Sequence, residues 1–173
     1  YVDDIYGWNF LSTEKYPKEI SWNEAGDVSH GTHVAGTVAG VNNNGLGISG
    51  VAGGTGKGDG ARLMSCQVFY DIDPDPEVEG PAGWTSGSEV ATARAFQYAA
   101  DNGASIAQCS FGLIGAEYDY DGEYEMSYKA EHDALNYFLD KANNNSDILD
   151  GNIVIAAAGN ERNPYSSYPG ALP

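Results

Sequence analysis

The sequence is poor in cysteine, in basic residues and in long apolar runs, and each shortage excludes a class of protein. Its two cysteines, Cys66 and Cys109, cannot build a disulfide framework and are expected to be small buried hydrophobes. Lys and Arg number 8 against 25 Asp and Glu, a formal charge of −17, which argues against binding to nucleic acid or to an anionic membrane surface. The longest apolar run, Ile153 to Ala158, is far shorter than the ~20 residues that span a bilayer.

The chain does have enough apolar material for a folded core. Apolar residues make up 42% and aromatic residues 12% of its 173 residues, a length typical of one domain or of a large piece of one. The glycines clustered between residues 45 and 60 predict a string of tight turns. Two acidic stretches, 71–83 and 113–127, are interpreted as solvated loops, in preference to a surface that selects basic substrates.

Periodic segments predict strands and helices in alternation. Strands are expected over 61–70, 104–110 and 153–158, with helices over 86–103 and 130–142 between them. Strand-helix-strand units favour right-handed crossovers and parallel strands. The expected fold class is therefore α/β, with a parallel β-sheet flanked by helices on both faces.

The two helical segments carry their own start and stop signals. Ser86 and Glu89 have the spacing of a capping box, and Gly103 is expected to end the first helix. The residues expected on the buried faces are Val90, Ala91, Ala95, Tyr98 and Ala99 in the first helix and Ala130, Ala134, Leu135, Phe138, Leu139 and Ala142 in the second.

Polar groups follow two of the predicted strands, and ligands of open α/β sheets bind at the carboxyl ends of strands. Ser110-Phe111-Gly112 has backbone that could pair with an extended peptide. Asn160, after Ala158-Gly159, offers a carboxamide N–H that can stabilise negative charge developing on a carbonyl oxygen. Taken singly, each segment is more typical of an ordinary turn or strand-to-loop transition than of a binding site.

A histidine-containing run, Ser29 to Gly40, supplies the remaining candidates. Its small apolar residues predict a tightly packed helix with His30 at its start, where the helix dipole disfavours the imidazolium and favours a general base. His33, one turn further on, is expected to face inward as a structural residue. The alternative takes His30 and His33 as metal ligands, with His132 or an acidic residue as the third.

In this order, these segments resemble the subtilisin-like serine peptidases. The resemblance covers nearly the whole chain, and its motifs are His-Gly-Thr-His at 30–33, Gly-Val-Ala at 50–52, Ser-Phe-Gly at 110–112, Ala-Ala-Ala-Gly-Asn at 156–160 and Tyr-Pro-Gly at 168–170. It implies the subtilisin-like α/β fold. It also implies hydrolysis of peptide bonds in a peptide or protein substrate by an Asp-His-Ser triad, with no cofactor required for the chemistry.

The resemblance further implies roles for single residues. His30 would be the general base of the triad and Asn160 the side-chain donor of the oxyanion hole. The segment Val41 to Ile48 resembles a loop that binds calcium in some members but differs in length, which leaves the metal undecided. Members are mostly secreted or attached to the cell surface. The implied substrate-binding residues are Ser86, Gly87, Ser110, Phe111, Gly112, Ala158 and Gly159.

Two parts of the family pattern are absent from the sequence. The triad Asp belongs in an Asp-Ser/Thr-Gly turn and the nucleophile in a Gly-Thr-Ser, and neither triplet occurs. We therefore expect residues 1–173 to be an interior portion of a peptidase domain, inactive by itself and dependent on the remainder of that domain. A non-catalytic peptide-binding relative that keeps the crevice is the main alternative, followed by a metal-dependent hydrolase using His30 and His33.

Overall fold

A computed structural model describes most of the chain. The described residues are 7–11, 30–71, 85–87, 89–114, 128–141, 151–160 and 167–170. They divide between two compact units, residues 1–87 and residues 88–173. None of the helices in the described residues has the length and apolar character needed to cross a membrane.

The described residues of the first unit form one helix and two short strand pairs. Its elements are β1 (Trp8–Asn9), α1 (His30–Ala39), β2 (Cys66–Gln67), β3 (Phe69–Asp71) and β4 (Thr85–Gly87). β1 and β2 are parallel, whereas β3 and β4 are antiparallel. Phe10 and Val68, which follow β1 and β2, are buried. The strand predicted over 61–70 is wrong in its first half, because residues 61–65 belong to no strand and are mostly exposed.

The second unit alternates strands and helices. Its elements are α2 (Glu89–Asp101), β5 (Ile106–Cys109), β6 (Leu113–Ile114), α3 (Lys129–Asp140), β7 (Ile153–Ala156) and β8 (Ser167–Tyr168). β5 and β7 pair in parallel, with Ile106 opposite Ile153 and Cys109 opposite Ala156. β6 and β8 form a short antiparallel pair. The parallel strands with a helix between them confirm the predicted α/β class.

The core of the second unit lies between α2 and α3. Phe138 is fully buried, and its ring centroid lies 6.1 Å from that of Phe96 at an interplanar angle of 49°. The buried residues are Ala91, Thr92, Ala93, Ala95, Phe96, Tyr98, Ala99 and Ala100 of α2 and Glu131, Ala134, Leu135 and Phe138 of α3. Val90, predicted to be buried, is 50% exposed. The reason is helical geometry: Val90 lies two turns before exposed Gln97 and shares its face.

The ends of α2 follow one prediction and contradict another. Gly103 has a φ of 80°, and the N–H of Ala104 donates to the carbonyl of Ala99 at 2.9 Å, so the predicted stop at Gly103 is confirmed. The predicted capping box is wrong, because Ser86 belongs to strand β4. The carboxylate of Glu89 instead accepts the N–H of Ala130, at 3.1 Å, at the start of α3.

A polar cluster joins the carboxyl ends of α2 and α3. The Tyr137 hydroxyl donates to Oδ1 of Asp101 at 2.8 Å and accepts from Nζ of Lys141 at 2.8 Å, while Lys141 also contacts Asp101 directly. Hydrogen bonds from Lys141 and from Tyr137 hold the pKa of the Asp101 carboxyl below its usual value. All three side chains reach solvent, so the cluster links the helix ends at the surface.

One face of the β5–β7 pair carries exposed isoleucines. Ile106 is 55% exposed, Ile153 41% and Ile155 46%. Side chains two apart in a strand share a face, and the parallel register places Ile106 beside Ile153. Cys109, on the other face of β5, is buried. Within the described part of the chain, the isoleucine face is therefore not covered.

Candidate active site

His30 is the first residue of α1, as the sequence predicts, and its side chain is exposed. An exposed imidazole at a helix start can exchange a proton with a neighbouring hydroxyl. His33 is also exposed, so the prediction that it faces inward is wrong. The physical reason is that no residue of α1 is buried, which leaves this helix without an inward face in the first unit.

The carboxyl end of α1 is held by the segment that follows it. The backbone N–H groups of Val51 and Ala52 donate to the carbonyls of Thr37 and Val38, at 2.9 and 2.8 Å. These bonds satisfy carbonyl groups that a helix end leaves without partners. A Cβ at Gly50 would lie 2.8 Å from backbone atoms of the helix, so only glycine allows the approach.

The Gly-Val-Ala triplet therefore fixes the helix that begins with His30. The sequence presents residues 50–52 only as one motif of a family resemblance. The N–H groups of the two residues after Gly50 reach the helix end only because the fold brings the two segments together. No local pattern could have revealed which carbonyls accept these bonds.

The ends of β5 and β7 bring two predicted site segments to one edge of the sheet. The N–H of Ala157 donates to the carbonyl of Cys109 at 2.9 Å, which extends the parallel pairing by one residue. Residues 110–112 and 158–160 leave the sheet directly after this point. Gly159 has a φ of 87°, a left-handed turn that favours glycine, and Asn160 after it is exposed.

Ser110 has a side-chain partner that the sequence does not reveal. Nε2 of Gln108 donates to Oγ of Ser110 at 3.1 Å, and the two residues are two positions apart in the sequence, at the carboxyl end of β5. Phe111 is half-buried and Gly112 is exposed. The only available signal was the i, i+2 spacing of two polar residues in a strand, which places them on the same face.

The other predicted substrate-binding segment, Ser86-Gly87, lies in a strand. In β4, Ser86 stands opposite Tyr70 and Gly87 opposite Phe69. Within the described residues, β3 and β4 form a two-stranded sheet, so one edge of β4 carries no paired strand. An unpaired strand edge can add an extended peptide through backbone hydrogen bonds.

No metal centre is found among His, Cys, Asp and Glu of the described residues, where no group of three or more comes close enough to hold an ion. The interpretation of His30 and His33 as metal ligands therefore gains no support. His132 lies in α3, where its ring contacts the side chain of Asn136 at 3.3 Å.

The segment Val41 to Ile48 offers one feature that suits an oxygen-bound cation. Oδ1 of Asn42 is buried and has no hydrogen-bond partner in the described part of the chain. Oδ1 of Asn44, in contrast, accepts the N–H of Leu46 at 2.9 Å and closes a local turn. Calcium prefers carbonyl and carboxylate oxygens, and Asn42 would supply one of them.

Neither cysteine has the surroundings of a nucleophile. Burial raises the pKa of the Cys66 thiol to about 11, so the thiolate is scarce at neutral pH. Cys109 is buried, and Cys66 is half-buried. The prediction that both are packing residues holds for Cys109 fully and for Cys66 in large part.

The structure groups the predicted site residues within each unit. His30 and the strand bearing Ser86 and Gly87 belong to residues 1–87, and the segments around Ser110 and Asn160 belong to residues 88–173. Most of the acidic stretches, at 72–83 and 115–127, lies outside the described residues. The exceptions, all predicted as loop, are Asp71, which ends β3, and Leu113–Ile114, which forms β6.

The chain is similar in sequence to known proteases. The model of the subtilase family, Peptidase S8, matches residues 8–173. Thermitase of Thermoactinomyces vulgaris is 30% identical over 95% of this chain and 43% of its own length, and fervidolysin of Fervidobacterium pennivorans is 30% identical over 98% of this chain and 19% of its own. A halolysin-like extracellular serine protease of Natrialba magadii is 28% identical over 96% of this chain and 23% of its own length.

The chain spans less than half of these relatives, 43% of thermitase and 19% of fervidolysin. No solved structure matches it. The family match nonetheless covers all but the first seven residues of the chain and includes every motif described above. The chain belongs to the subtilase family of subtilisin-like serine proteases.

Proposed function

We propose that the parent protein, meaning the full-length protein that contains this chain, is a serine endopeptidase. Membership of the subtilase family supports peptide bonds as its substrate. The observation that carries the proposal is the parallel register of β5 and β7, which gathers residues 110–112 and Asn160 at one sheet edge. Such an edge is where open α/β sheets bind ligands.

In the proposed reaction, His30 is the general base. It takes the proton from the hydroxyl of a serine nucleophile as that oxygen attacks the scissile carbonyl carbon, and later returns it to the departing amine. The exposed position of His30 at the start of α1 supports this role. The serine belongs in a Gly-Thr-Ser that residues 1–173 do not contain, so the polypeptide of 173 residues is expected to be inactive by itself.

Asn160 is proposed as the side-chain donor of the oxyanion hole. Attack by serine turns the carbonyl oxygen into an oxyanion, and a carboxamide N–H can stabilise that charge without competing for protons. The left-handed turn at Gly159 sets the direction of the chain before this side chain. Asn160 is exposed and lies shortly after the end of β7, which suits a donor that must reach substrate.

The substrate is proposed to bind as an extended strand between two edges. Ser110, Phe111 and Gly112 would form one edge, and Ser86 and Gly87 of β4 the other, with Ala158 and Gly159 as part of the pocket wall. The unpaired edge of β4 within the described residues supports backbone pairing of a peptide at Ser86 and Gly87. Extended binding gives the enzyme backbone contacts that any peptide sequence can make.

We propose that the chemistry requires no cofactor. If the Val41 to Ile48 loop binds calcium, the ion would have a structural role, with Asn42 as one ligand. An extracellular location is proposed from the halolysin-like extracellular relative. Residues 1–173 are proposed to be an interior portion of the peptidase domain, and the remainder of that domain supplies the triad Asp and Ser.

The test is steady-state hydrolysis of a peptide substrate by the parent protein and its variants. His30→Ala should lower kcat by orders of magnitude, since it removes the base. Asn160→Ala should lower kcat by roughly 100–1,000-fold with little change in KM, because the oxyanion exists only after attack.

The matched controls are His132→Ala and Asn136→Ala, both on α3, which contributes no residue to the proposed edges. Both should leave kcat and KM near the values of the unmodified protein. Unchanged turnover in His30→Ala would refute the proposed base. A loss confined to KM in Asn160→Ala would refute the oxyanion role and favour a peptide-binding surface.

A further inference from the structure

A side-chain hydrogen bond joins Gln108 and Ser110 at the carboxyl end of β5. Nε2 of Gln108 lies 3.1 Å from Oγ of Ser110. Gln108 is exposed and Ser110 is half-buried. A glutamine on a solvent-facing strand position normally turns its amide to water, so an amide directed along the strand needs an explanation.

The neighbours of Gln108 provide that explanation. Gln108 stands opposite Ile155 in the parallel register, and Ile106 precedes it on the same face. Ile155 is 46% and Ile106 55% exposed, so the aliphatic part of Gln108 lies in an apolar row. Apolar contact suits the stem of a long side chain while its polar end reaches a hydrogen-bond partner. The next residue on that face, in the direction of the site, is Ser110.

The direction of this hydrogen bond determines which hydrogen-bonding capacity of the Ser110 hydroxyl remains available. A serine hydroxyl has one hydrogen to donate and two lone pairs that accept. Because the amide of Gln108 donates, it occupies a lone pair of Oγ and leaves the hydroxyl hydrogen available. Accepting one hydrogen bond also polarises the hydroxyl and makes it a better donor. Ser110 is therefore held as a donor at the point where β5 ends.

We propose that Gln108 is a positioning residue for substrate binding: it orients the Ser110 hydroxyl, which donates a hydrogen bond to a backbone carbonyl of an extended peptide substrate. This inference rests on the proposed peptidase function. Gln108 does not itself contact substrate. A substrate carbonyl is the expected acceptor because an extended peptide presents one at every residue, whatever its side chains.

The experiment is a double-mutant cycle in the parent protein, with KM and kcat measured on a peptide amide substrate. Gln108→Met keeps the length of the side chain and removes the donor. Ser110→Ala removes the hydroxyl. Each single change should raise KM by about three- to tenfold, the value of one neutral hydrogen bond, and leave kcat within about twofold. The double variant should match Ser110→Ala, because Gln108 acts through that hydroxyl.

The matched control is Gln97→Met, a glutamine-to-methionine change on the exposed face of α2, which should alter neither constant. An unchanged KM in Gln108→Met overturns the proposal. So does a double variant in which the two effects multiply, because Gln108 would then act independently of Ser110. If these arms fail while Asn160→Ala still loses turnover as expected, the peptidase function stands and only this inference falls. If the parent protein cleaves no peptide, both the proposed peptidase function and this inference are refuted.

Discussion

Gly50→Ala tests how the helix that begins with His30 is held in place. The added Cβ would lie 2.8 Å from the N–H nitrogen of Ala39 and from the carbonyl oxygen of Val38. Both are backbone atoms, so the contact cannot be relieved by turning a side chain. The segment must move away from α1 and stretch the bonds that Val51 and Ala52 donate to it.

The magnitude follows from these two effects. Overpacking of this kind costs about 1–3 kcal/mol. Each weakened backbone hydrogen bond adds about 0.5–1.5 kcal/mol. The expected loss in free energy of unfolding is about 2–6 kcal/mol. Because the damage is local, the amides of Val51 and Ala52 should lose most of their protection from hydrogen exchange.

The matched control is Gly31→Ala in the same helix. A Cβ at Gly31 meets no atom within 4 Å, and alanine favours a helix over glycine by about 0.5–1 kcal/mol. We expect this variant to be as stable as the unmodified parent protein or slightly more so. The assay is chemical denaturation together with native-state hydrogen exchange. Equal stability and equal amide protection in the two variants would refute the claim that residues 50–52 anchor α1.

Three further predictions concern stability and titration. Phe138→Ala should cost about 3–5 kcal/mol in denaturation experiments, because Phe138 is fully buried between α2 and α3; a loss under about 1 kcal/mol would contradict that packing. In Lys141→Met, an NMR titration should show the pKa of Asp101 rising toward its usual value. In the unmodified protein, the ionised Asp101 stabilises the fold above the usual pKa of an aspartate, and this stabilisation is lost as the pH falls through the lowered pKa; in the variant this pH-dependent loss should be smaller. The Cys66 thiol, with its pKa raised to about 11, should resist alkylation at pH 8 in the folded protein and react after unfolding; rapid native reaction would contradict its burial.

Local sequence signals predicted the middle of each helix of the second unit, although Val90 and Ala130, expected on the buried faces, are exposed. Ala134, Leu135 and Phe138 recur at helical spacing, and all three are buried in α3. Gly103 ends α2 with the left-handed backbone that its residue type allows. These predictions succeed because they depend only on helical periodicity and on the conformational freedom of glycine.

The failures at Ser86 and His33 have a different cause: each depended on contacts between distant segments. Serine is a residue type that often caps helices, but the backbone of Ser86 pairs with β3, and this pairing decides its conformation. His33 was expected to face inward, but α1 buries no residue in the first unit. In the candidate site, the position of His30 followed from its own helix. The hydrogen bond from Gln108 to Ser110 could not be predicted in this way, because the sequence does not show that the Gln108 amide points along the strand.

The central claim is that His30 and Asn160 act on one carbonyl group. The most direct test is a crystal structure of the parent protein with a peptide boronic acid, whose tetrahedral boron stands in for the carbon attacked by serine. We expect Nδ2 of Asn160 within ~2.7–3.1 Å of one boronate oxygen and a ring nitrogen of His30 within hydrogen-bond reach of the serine oxygen. Two side chains on separate surfaces, or an inhibitor bound away from both, would contradict the account.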